Sequence, residues 1–394
     1  MILTAKQEEG LRVALERYKA REKYTCISGY AGSGKSTLVS FIVAALNIEP
    51  DDVCYIAFTG KAATVLKQKG CNNAITAHKL LFYSKQTKEG KYIHSPRKTL
   101  EYDYKLIIVD EVSMLPKSMW NLLLSHHVHV LALGDPGQLP PVNTNEYNDV
   151  LEHPHVFLDE IMRQAQDSEI IRLSMHVREG KALNDFKCEG AQVQIYPKEA
   201  LTTGMLTWAD QILCATNETR NIVNKTVRGI KGFSEEPCEQ DRLISLANHW
   251  EFMSSKGDWA LTNGCIGTLG YHYVETYKLP KYMGIPPIEI MYTTMLLEDD
   301  EFVMIPIDYK CLKTGEPTLT PRQQYQIRNS KLIEIDPPFE FAYGNAITTW
   351  KAQGSEWNKV LGIEEKFPFD KETHKQFLYT MVTRAKDKLV LITK

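Results

Sequence analysis

The sequence contains no stretch of about 20 apolar residues that could span a bilayer, and its N-terminal segment is charged and periodic rather than an apolar secretion signal. Its eight cysteines are scattered without C-x-x-C pairs, which favours reduced, mostly buried thiols over disulfides or structural zinc. These absences predict a soluble intracellular protein with no membrane partner. Its 394 residues with 43% hydrophobic content are enough for two or three packed domains.

The chain also lacks a net positive charge, since its formal charge is −3 and its pI is near 6.4. Any contact with a polyanion such as nucleic acid must therefore come from local features. One such feature is the segment from His78 to Lys105, where seven basic residues stand against three acidic ones. Two short aromatic-bearing runs around Gly90 predict a β-hairpin in this segment. Its residues alone leave open a functional hairpin and an ordinary solvated one.

The most informative segment is GYAGSGKS, residues 29 to 36, which has the G-x-x-x-x-G-K-S pattern of a phosphate-binding loop. It follows a short apolar run and precedes apolar residues at helical spacing, which is the strand–loop–helix order that such a loop requires. Backbone N–H groups would hold phosphate oxygens, Lys35 would neutralise the β- and γ-phosphates, and the Ser36 hydroxyl would bind Mg²⁺. The residues predicted here to bind ATP are Gly29, Tyr30, Ala31, Gly32, Ser33, Gly34, Lys35, Ser36 and Thr37.

A second segment, KLIIVDEVSM from Lys105 to Met114, has four apolar residues suited to a buried parallel strand, followed by two carboxylates. Asp110, at the predicted carboxyl end of the strand, is a candidate to hold Mg²⁺ opposite Ser36. Glu111 is a candidate to orient or deprotonate the attacking water. An acidic pair after a strand is also common as a solvated helix N-terminus. Behind a phosphate loop, however, it indicates an ATPase site with Mg²⁺ as cofactor.

Further segments follow in a fixed order: AFTGKAATVL (57–66), ITAHKLL (75–81), GDPGQLPPV (134–142), LDEIMRQAQDSEII (158–171), ATNETRNIVNKTVR (from 215), NGCIG (from 263), ITTWKAQGSE (from 347) and LYTMVTRAKDKLVL (from 378). With GYAGSGKS and DEVSM, this series resembles the superfamily 1 helicases and, within their 1B branch, the RecD/Dda group. Single pieces such as GKS are weakly specific. DEVSM, GDPGQLPP, KAQGSE and VTRAK in this order are highly specific in combination.

The resemblance implies roles for further residues. Gln7 in LTAKQ matches the residue that reads the adenine edge, and Gln138 matches the γ-phosphate sensor. Arg163 in MRQ and Arg384 in VTRAK match two arginines that the second motor domain presents to the γ-phosphate, where charge develops during phosphoryl transfer. Either arginine could instead be a surface salt-bridge partner. The implied catalytic set is Lys35, Asp110, Glu111, Gln138, Arg163 and Arg384.

The resemblance also implies contacts with single-stranded DNA through hydroxyl, amide and basic groups that hold phosphates. The matching positions are Thr59, Lys61, Thr76, His78, Asn217, Thr348, Lys351 and Ser355. Trp350 departs from the family pattern, in which histidine is common, and could stack on a base or pack in the core. The basic hairpin matches an insertion that is often used as a strand-separating pin, with Phe82, Tyr83 and Tyr92 as the candidate residues.

The predicted fold class is α/β, with two RecA-like phosphate-loop motor domains. Residues 1–150 are predicted to form motor domain 1, with the pin-like hairpin insertion at 82–104. Residues 151–267 and 341–394 are predicted to form motor domain 2. Residues 268–340, with many prolines and short β-like runs, are read as an inserted SH3-like β domain because related enzymes hold one at this place.

The implied activity is that of an ATP- and Mg²⁺-dependent motor that steps along single-stranded DNA and displaces the complementary strand, with the 5′→3′ direction taken from the resemblance. The expected partners are single-stranded DNA and duplex-DNA junctions, with replication or recombination proteins as further candidates. We expect a monomer in the cytoplasm of a bacterial or phage-infected cell. Two alternatives stay open: an RNA-directed superfamily 1 motor, and a non-unwinding ATP-gated loader or switch. Paired arginines from a second domain of the same chain argue against a loader, which usually receives its arginine from a neighbouring subunit.

Overall fold

The computed structural model describes residues 3–58, 60–86, 92–140, 148–162, 167–257, 260–330, 335–366 and 370–394. The chain forms two compact units. The first unit is Met1–Ala200 with Ala352–Lys394, and the second unit is Leu201–Lys351. No helix in the described ranges combines the length and the apolar character that crossing a membrane would need.

The first unit alternates strands and helices from its N-terminus. In chain order its elements are α1 (Ala5–Lys19), β1 (Tyr24–Gly29), α2 (Lys35–Leu46), β2 (Val53–Ala57), α3 (Gly60–Gln68), β3 (Ala74–Thr76), α4 (Ala77–Leu81), β4 (Phe82–Gln86), β5 (Tyr92–Pro96), β6 (Leu106–Val109), α5 (Lys117–Leu124), β7 (His129–Gly134), β8 (Val156–Leu158), α6 (Glu169–Arg178) and β9 (Val193–Pro197). Short 3₁₀ helices lie at Pro50–Asp52, Val112–Met114, Asp149–Leu151, Leu183–Asp185 and Lys198–Ala200.

The second unit has a shorter α/β part and a longer β part. Its elements are α7 (Thr203–Trp208), β10 (Gln211–Cys214), α8 (Asn217–Ile230), β11 (Arg242–Ser245), β12 (His249–Met253), β13 (Ala260–Leu261), β14 (Ile266–Tyr277), β15 (Ile288–Leu296), β16 (Glu301–Asp308), α9 (Tyr309–Thr314), α10 (Pro321–Asn329), β17 (Phe341–Tyr343) and β18 (Ala346–Thr348). Further 3₁₀ helices lie at Lys281–Met283 and Thr349–Ala352. The chain then returns to the first unit as β19 (Trp357–Ile363), α11 (Lys371–Val382) and β20 (Ala385–Thr393).

The main sheet of the first unit has the strand order β3-β2-β6-β7-β1-β8, and its strands are parallel. Its central strands are runs of buried apolar residues, as expected for a parallel sheet covered on both faces. Leu38 and Ile42 of α2 belong to the core on one face, and Trp120 and Leu123 of α5 belong to the core on the other. These parallel sheets confirm the predicted α/β class.

The strand register of this sheet explains where the functional segments lie. Ser28 of β1 pairs with Gly134 of β7, and Val109 of β6 pairs with Ala132 of β7. The segments that leave β1, β6 and β7 therefore emerge together at the carboxyl edge of the sheet, which is where ligands bind in open α/β sheets. A second parallel set in the same unit consists of β19, β20 and β9.

In the second unit, β10 pairs in parallel with β18, and an antiparallel sheet has the order β16-β15-β14-β11-β17. The antiparallel sheet encloses its own core, to which Met291, Phe302 and Phe341 belong. It falls largely within the range predicted for the inserted β domain and also includes strands outside that range. The SH3-like character of the insertion and the predicted domain boundaries stay predictions.

Candidate functional site

A cavity of about 540 Å³ lies at the carboxyl edge of the first unit's main sheet. It brings together the phosphate loop and the DEVSM, GDPGQ and VTRAK segments, which are far apart in the sequence. Five of the six residues predicted to act in catalysis line it, namely Lys35, Asp110, Glu111, Gln138 and Arg384. The sixth, Arg163, lies outside the described residues.

The phosphate loop is shaped by two glycines. Gly32 and Gly34 both have φ of +78°, in the left-handed region that glycine enters without steric cost. The Lys35 ammonium donates hydrogen bonds to the carbonyl oxygens of Gly29, at 2.6 Å, and Tyr30, at 3.0 Å. The loop is therefore folded around the lysine that is expected to meet the phosphates.

Gln7 lies against the back of this loop. Its side-chain amide donates to the carbonyl oxygens of Ser33, at 3.2 Å, and Gly34, at 3.4 Å. Its amide oxygen accepts from the Thr4 backbone N–H at 3.0 Å, as part of the capping box that begins α1. The side chain is buried and both ends of its amide are in use, and Gln7 is not among the residues that line the cavity. Its adenine-reading role stays a prediction.

The two carboxylates after β6 differ in their surroundings. Glu111 has φ of +61°, which is uncommon for a residue other than glycine. One of its oxygens accepts from the Ser113 hydroxyl at 2.7 Å and the other from the Gln138 amide at 3.2 Å. Desolvation, reinforced by the charge of Asp135, raises the pKa of Glu111 to about 7. Desolvation by the cavity walls also raises the pKa of Asp110.

The residues present fit a magnesium ion. Ser36 and Asp110 both line the cavity, and a hydroxyl and a carboxylate are oxygen ligands that Mg²⁺ prefers. A site of this kind needs only one or two protein ligands, because phosphate oxygens and water complete the shell. Within the described ranges, no three His, Cys, Asp or Glu side chains gather as an all-protein metal cage.

Arg384 is the second residue after the end of α11 and is 5% exposed. Its guanidinium donates to the carbonyl oxygens of Thr380, at 3.1 Å, and Ser355, at 3.2 Å, and to the Thr383 hydroxyl, at 3.1 Å. The arginine thus lines the cavity while protein oxygens hold it. Its contact with a γ-phosphate stays a prediction.

Comparisons with known proteins agree with this site. Residues 3–197 match the family model of an AAA domain, and residues 343–392 match that of a UvrD-like helicase C-terminal domain. The chain is 24% identical to the ATP-dependent DNA helicase dda of Enterobacteria phage T4 over 57% of this chain and 56% of that protein. It is 32% identical to the ATP-dependent RecD2 DNA helicase of Deinococcus radiodurans over 94% of this chain and 47% of that protein.

The family models and the relatives that this chain matches are all consistent with superfamily 1B of the helicases. It spans about half the length of the curated relatives that it matches. A solved structure of Pif1 helicases, described as showing DNA unwinding at forked double-stranded DNA, resembles it with a TM-score of 0.50 and 17% identity, covering 99% of this chain and 92% of that one. This likeness shows a shared fold with two RecA-like domains.

Part of the predicted DNA-contact set lies in the first unit. Thr59 and the side chain of Lys61 lie outside the described residues. The Thr76 hydroxyl caps α4, and the His78 ring stacks on another ring of the same segment at 4.5 Å. Ser355 is largely buried.

The other part of the set lies in the second unit. Asn217 is the exposed first residue of α8, Thr348 is the buried last residue of β18, and Lys351 follows three residues later. Because β10 and β18 are parallel and in register, these residues lie at one edge of the pair. The Lys351 ammonium donates to the Asn263 side-chain oxygen at 2.7 Å. The DNA contacts themselves stay predictions in both units.

The predicted hairpin segment is paired as antiparallel strands, β4 with β5. Phe82 packs partly against the first unit's core and stacks on His78. Tyr83 is 49% exposed, and the Arg97 guanidinium lies 4.1 Å from the centre of its ring. The side chain of Tyr92 and residues 87–91 lie outside the described part of the chain. The strand-separating role of this segment stays a prediction.

Two residues that have no predicted role in any motif prove central to the site. Asp135 and Tyr379 share a buried hydrogen bond of 2.7 Å, although 244 residues separate them in the sequence. A signal was present in both cases. Asp135 follows β7 as Asp110 follows β6, and Tyr379 is a polar-tipped side chain in the buried run 377–382 of α11, where its hydroxyl needs a partner.

Proposed function

We propose that this chain is an ATP-dependent translocase on single-stranded DNA and a DNA helicase that moves 5′→3′. The main support is the placement of the phosphate loop, Glu111, Gln138 and Arg384 around one cavity. The helicase names of its relatives in Enterobacteria phage T4 and Deinococcus radiodurans also support it. The direction rests on the family resemblance alone.

ATP would enter at the phosphate loop. The Lys35 ammonium, now held by two loop carbonyls, would exchange them for β- and γ-phosphate oxygens, which are stronger, charged acceptors. Ser36 and Asp110 would hold Mg²⁺, which would neutralise charge on the phosphates. The backbone N–H groups at the start of α2 would face the same anion.

Water activation would fall to Glu111 and Gln138. The Gln138 amide nitrogen already donates to Glu111, whereas its amide oxygen is buried with no hydrogen-bond partner in the described part of the chain. A buried acceptor without a partner is costly, so a water molecule held between this oxygen and the Glu111 carboxylate would satisfy it. Such a water would be placed to attack the γ-phosphate.

Arg384 would stabilise the charge that develops on the γ-phosphate. To do so it would exchange carbonyl and hydroxyl acceptors for phosphate oxygens. This exchange would move the segment after α11 with the nucleotide state. We propose that such movement closes the two motor domains on ATP and opens them after hydrolysis, so that their grips on the DNA strand shift alternately.

The experiment is strand displacement on duplexes that bear only a 5′ or only a 3′ single-stranded tail, with ATP and Mg²⁺. Displacement of the 5′-tailed duplex alone is expected. Lys35→Ala should abolish it, and Glu111→Gln should abolish turnover but still bind ATP. Lys181→Ala, at an exposed residue that does not line the cavity, is the matched control and should behave as the parent.

Three outcomes would contradict parts of the proposal. Displacement of only the 3′-tailed duplex would reverse the direction. ATPase stimulated much more by RNA than by DNA would favour the RNA-directed motor. DNA-stimulated ATPase without any displacement, and with activity per chain that depends on protein concentration, would favour a loader or switch.

A further inference from the structure

The Tyr379 hydroxyl joins two segments of the nucleotide site. It donates to the Asp135 carboxylate at 2.7 Å and accepts from the Ala31 backbone N–H at 2.8 Å. Ala31 lies within the phosphate loop, and Asp135 opens the segment that holds Gln138. One hydroxyl therefore connects the phosphate loop, the segment that holds Gln138 and α11, the helix that ends two residues before Arg384.

The connection is buried and its geometry is tightly constrained. Tyr379 is 1% exposed and Asp135 is 3% exposed. The second Asp135 oxygen accepts from the Gly137 N–H at 2.9 Å. A Cβ on Gly137 would meet the Tyr379 ring at 2.9 Å, so only glycine fits against that ring. In such surroundings a hydrogen bond to a carboxylate is stronger than in water.

Neighbouring contacts extend the same connection in both directions. The Thr380 hydroxyl accepts from the Leu139 backbone N–H at 2.8 Å, and the Thr380 carbonyl accepts from Arg384 at 3.1 Å. Two successive residues of α11 thus bind the two ends of the segment 135–139, and the second of them also binds Arg384. A displacement of the segment 135–139 would therefore be transmitted to Arg384 through hydrogen bonds.

Burial, with the adjacent Asp135 charge, raises the pKa of Tyr379 well above its ordinary value. The phenol therefore keeps its proton at any working pH and stays a donor to Asp135. Ala31 belongs to the loop whose backbone N–H groups are expected to face phosphate. Its own N–H donates to the Tyr379 hydroxyl instead.

We propose that Tyr379 is a positioning residue for ATP hydrolysis: its hydroxyl sets Ala31 of the phosphate loop relative to Asp135 and to the helix that leads to Arg384. This inference rests on the proposed ATPase function. The ordinary alternative is a core tyrosine whose hydroxyl serves only stability. The two differ in what the loss of the hydroxyl changes.

The test is Tyr379→Phe, which keeps the ring and removes both hydrogen bonds. We expect kcat for ATP hydrolysis with saturating single-stranded DNA to fall at least about tenfold, because small misplacements of reacting groups carry losses of that order. KM for ATP and the binding of a fluorescent ATP analogue should stay within about threefold of the parent, since the groups that bind the phosphates are unchanged.

The matched control is Tyr343→Phe in the second unit. Tyr343 is also buried, but its hydroxyl has no hydrogen-bond partner in the described residues. We expect this variant to keep the parental kcat. A parental kcat for Tyr379→Phe, or an equal fall in kcat for the two variants, would overturn the proposal. Lowered resistance to urea with unchanged kcat would also overturn it in favour of the structural role.

Asp135→Asn and the double variant test the partner. If Tyr379 acts through Asp135, Asp135→Asn should also lower kcat, and the double variant should be no slower than the slower single variant. If the fold reduction in kcat of the double variant equals the product of the two single reductions, the link to Asp135 is overturned. If Tyr379→Phe does not fold, Asp135→Asn decides alone, and a parental kcat would overturn the proposal. A parent protein without DNA-stimulated ATPase would instead count against the proposed function, so the two failures are distinguishable.

Discussion

The clearest pH-dependent prediction concerns Lys351, one of the predicted DNA contacts. Its amine is half-buried and donates to Asn263. Desolvation and then the positive charge of Arg220, partly offset by Glu340, lower the pKa of Lys351 to about 8. An ordinary lysine has a pKa of about 10.4. Raising the pH from about 7 to about 9 should therefore remove a charge at this position that other lysines keep.

The expected magnitude follows from that pKa. The amine is about 90% charged at pH 7 and about 10% charged at pH 9 if its pKa is about 8. If only the charged form holds a DNA phosphate, affinity for single-stranded DNA should fall about tenfold over this range, which is about 1.4 kcal/mol. Lys351→Arg keeps its charge throughout and should lose far less.

The measurement is fluorescence anisotropy of a labelled oligothymidylate at constant salt, with the parent and the Arg variant titrated at pH 7, 8 and 9. All other titrating groups are the same in the parent and in Lys351→Arg, so the difference between the two affinity curves reports on residue 351 alone. Affinity curves of parent and variant that stay parallel across the three pH values would refute the role assigned to Lys351 in binding DNA.

Loss of folding does not produce the same signal. The folded-state pKa of Lys351 lies below the unfolded value, so the unfolded chain binds more protons between about pH 8 and about pH 10.4. Through this group, stability rises with pH in that window while DNA affinity falls. Urea unfolding at pH 8 and pH 9 would separate the two effects.

Three further predictions concern the fold, the phosphate loop and the hairpin. Asp241→Ala should lower the free energy of unfolding, measured in urea, by about 3–5 kcal/mol, because it leaves the buried Arg228 without its carboxylate partner at 2.8 Å. A loss below about 1 kcal/mol would contradict this prediction. Gly34→Ala should weaken binding of a fluorescent ATP analogue at least about tenfold, because φ at this position is +78° and a Cβ would overlap Gln7. The local backbone strain would be about 1–3 kcal/mol. An unchanged Kd for the analogue would show that the loop adapts to the added Cβ. Tyr83→Ala should slow strand displacement and spare DNA-stimulated ATPase, because the exposed part of the ring offers a surface on which a base can stack. Unchanged displacement would mark an ordinary solvated hairpin.

The sequence alone determined the local features of this protein. GYAGSGKS encodes its own turn, because two of its glycines adopt the left-handed φ that the loop requires. The apolar run before Asp110 encodes a buried parallel strand, and the order of the motifs indicated a resemblance to the superfamily 1 helicases. Each of these signals depends on a few consecutive residues or on their order, which a sequence displays directly.

Only the tertiary structure decided which side chains meet. Gln7 matches an adenine-reading position, yet the packing of α1 against the phosphate loop commits both ends of its amide to backbone groups. Tyr379 reaches Ala31 across 348 residues of sequence and Asp135 across 244. No periodicity or local propensity encodes such pairs, because they arise where β1, β7 and α11 converge at the edge of a sheet. The contacts that tie the phosphate loop to Arg384 therefore became visible only when these elements were packed together.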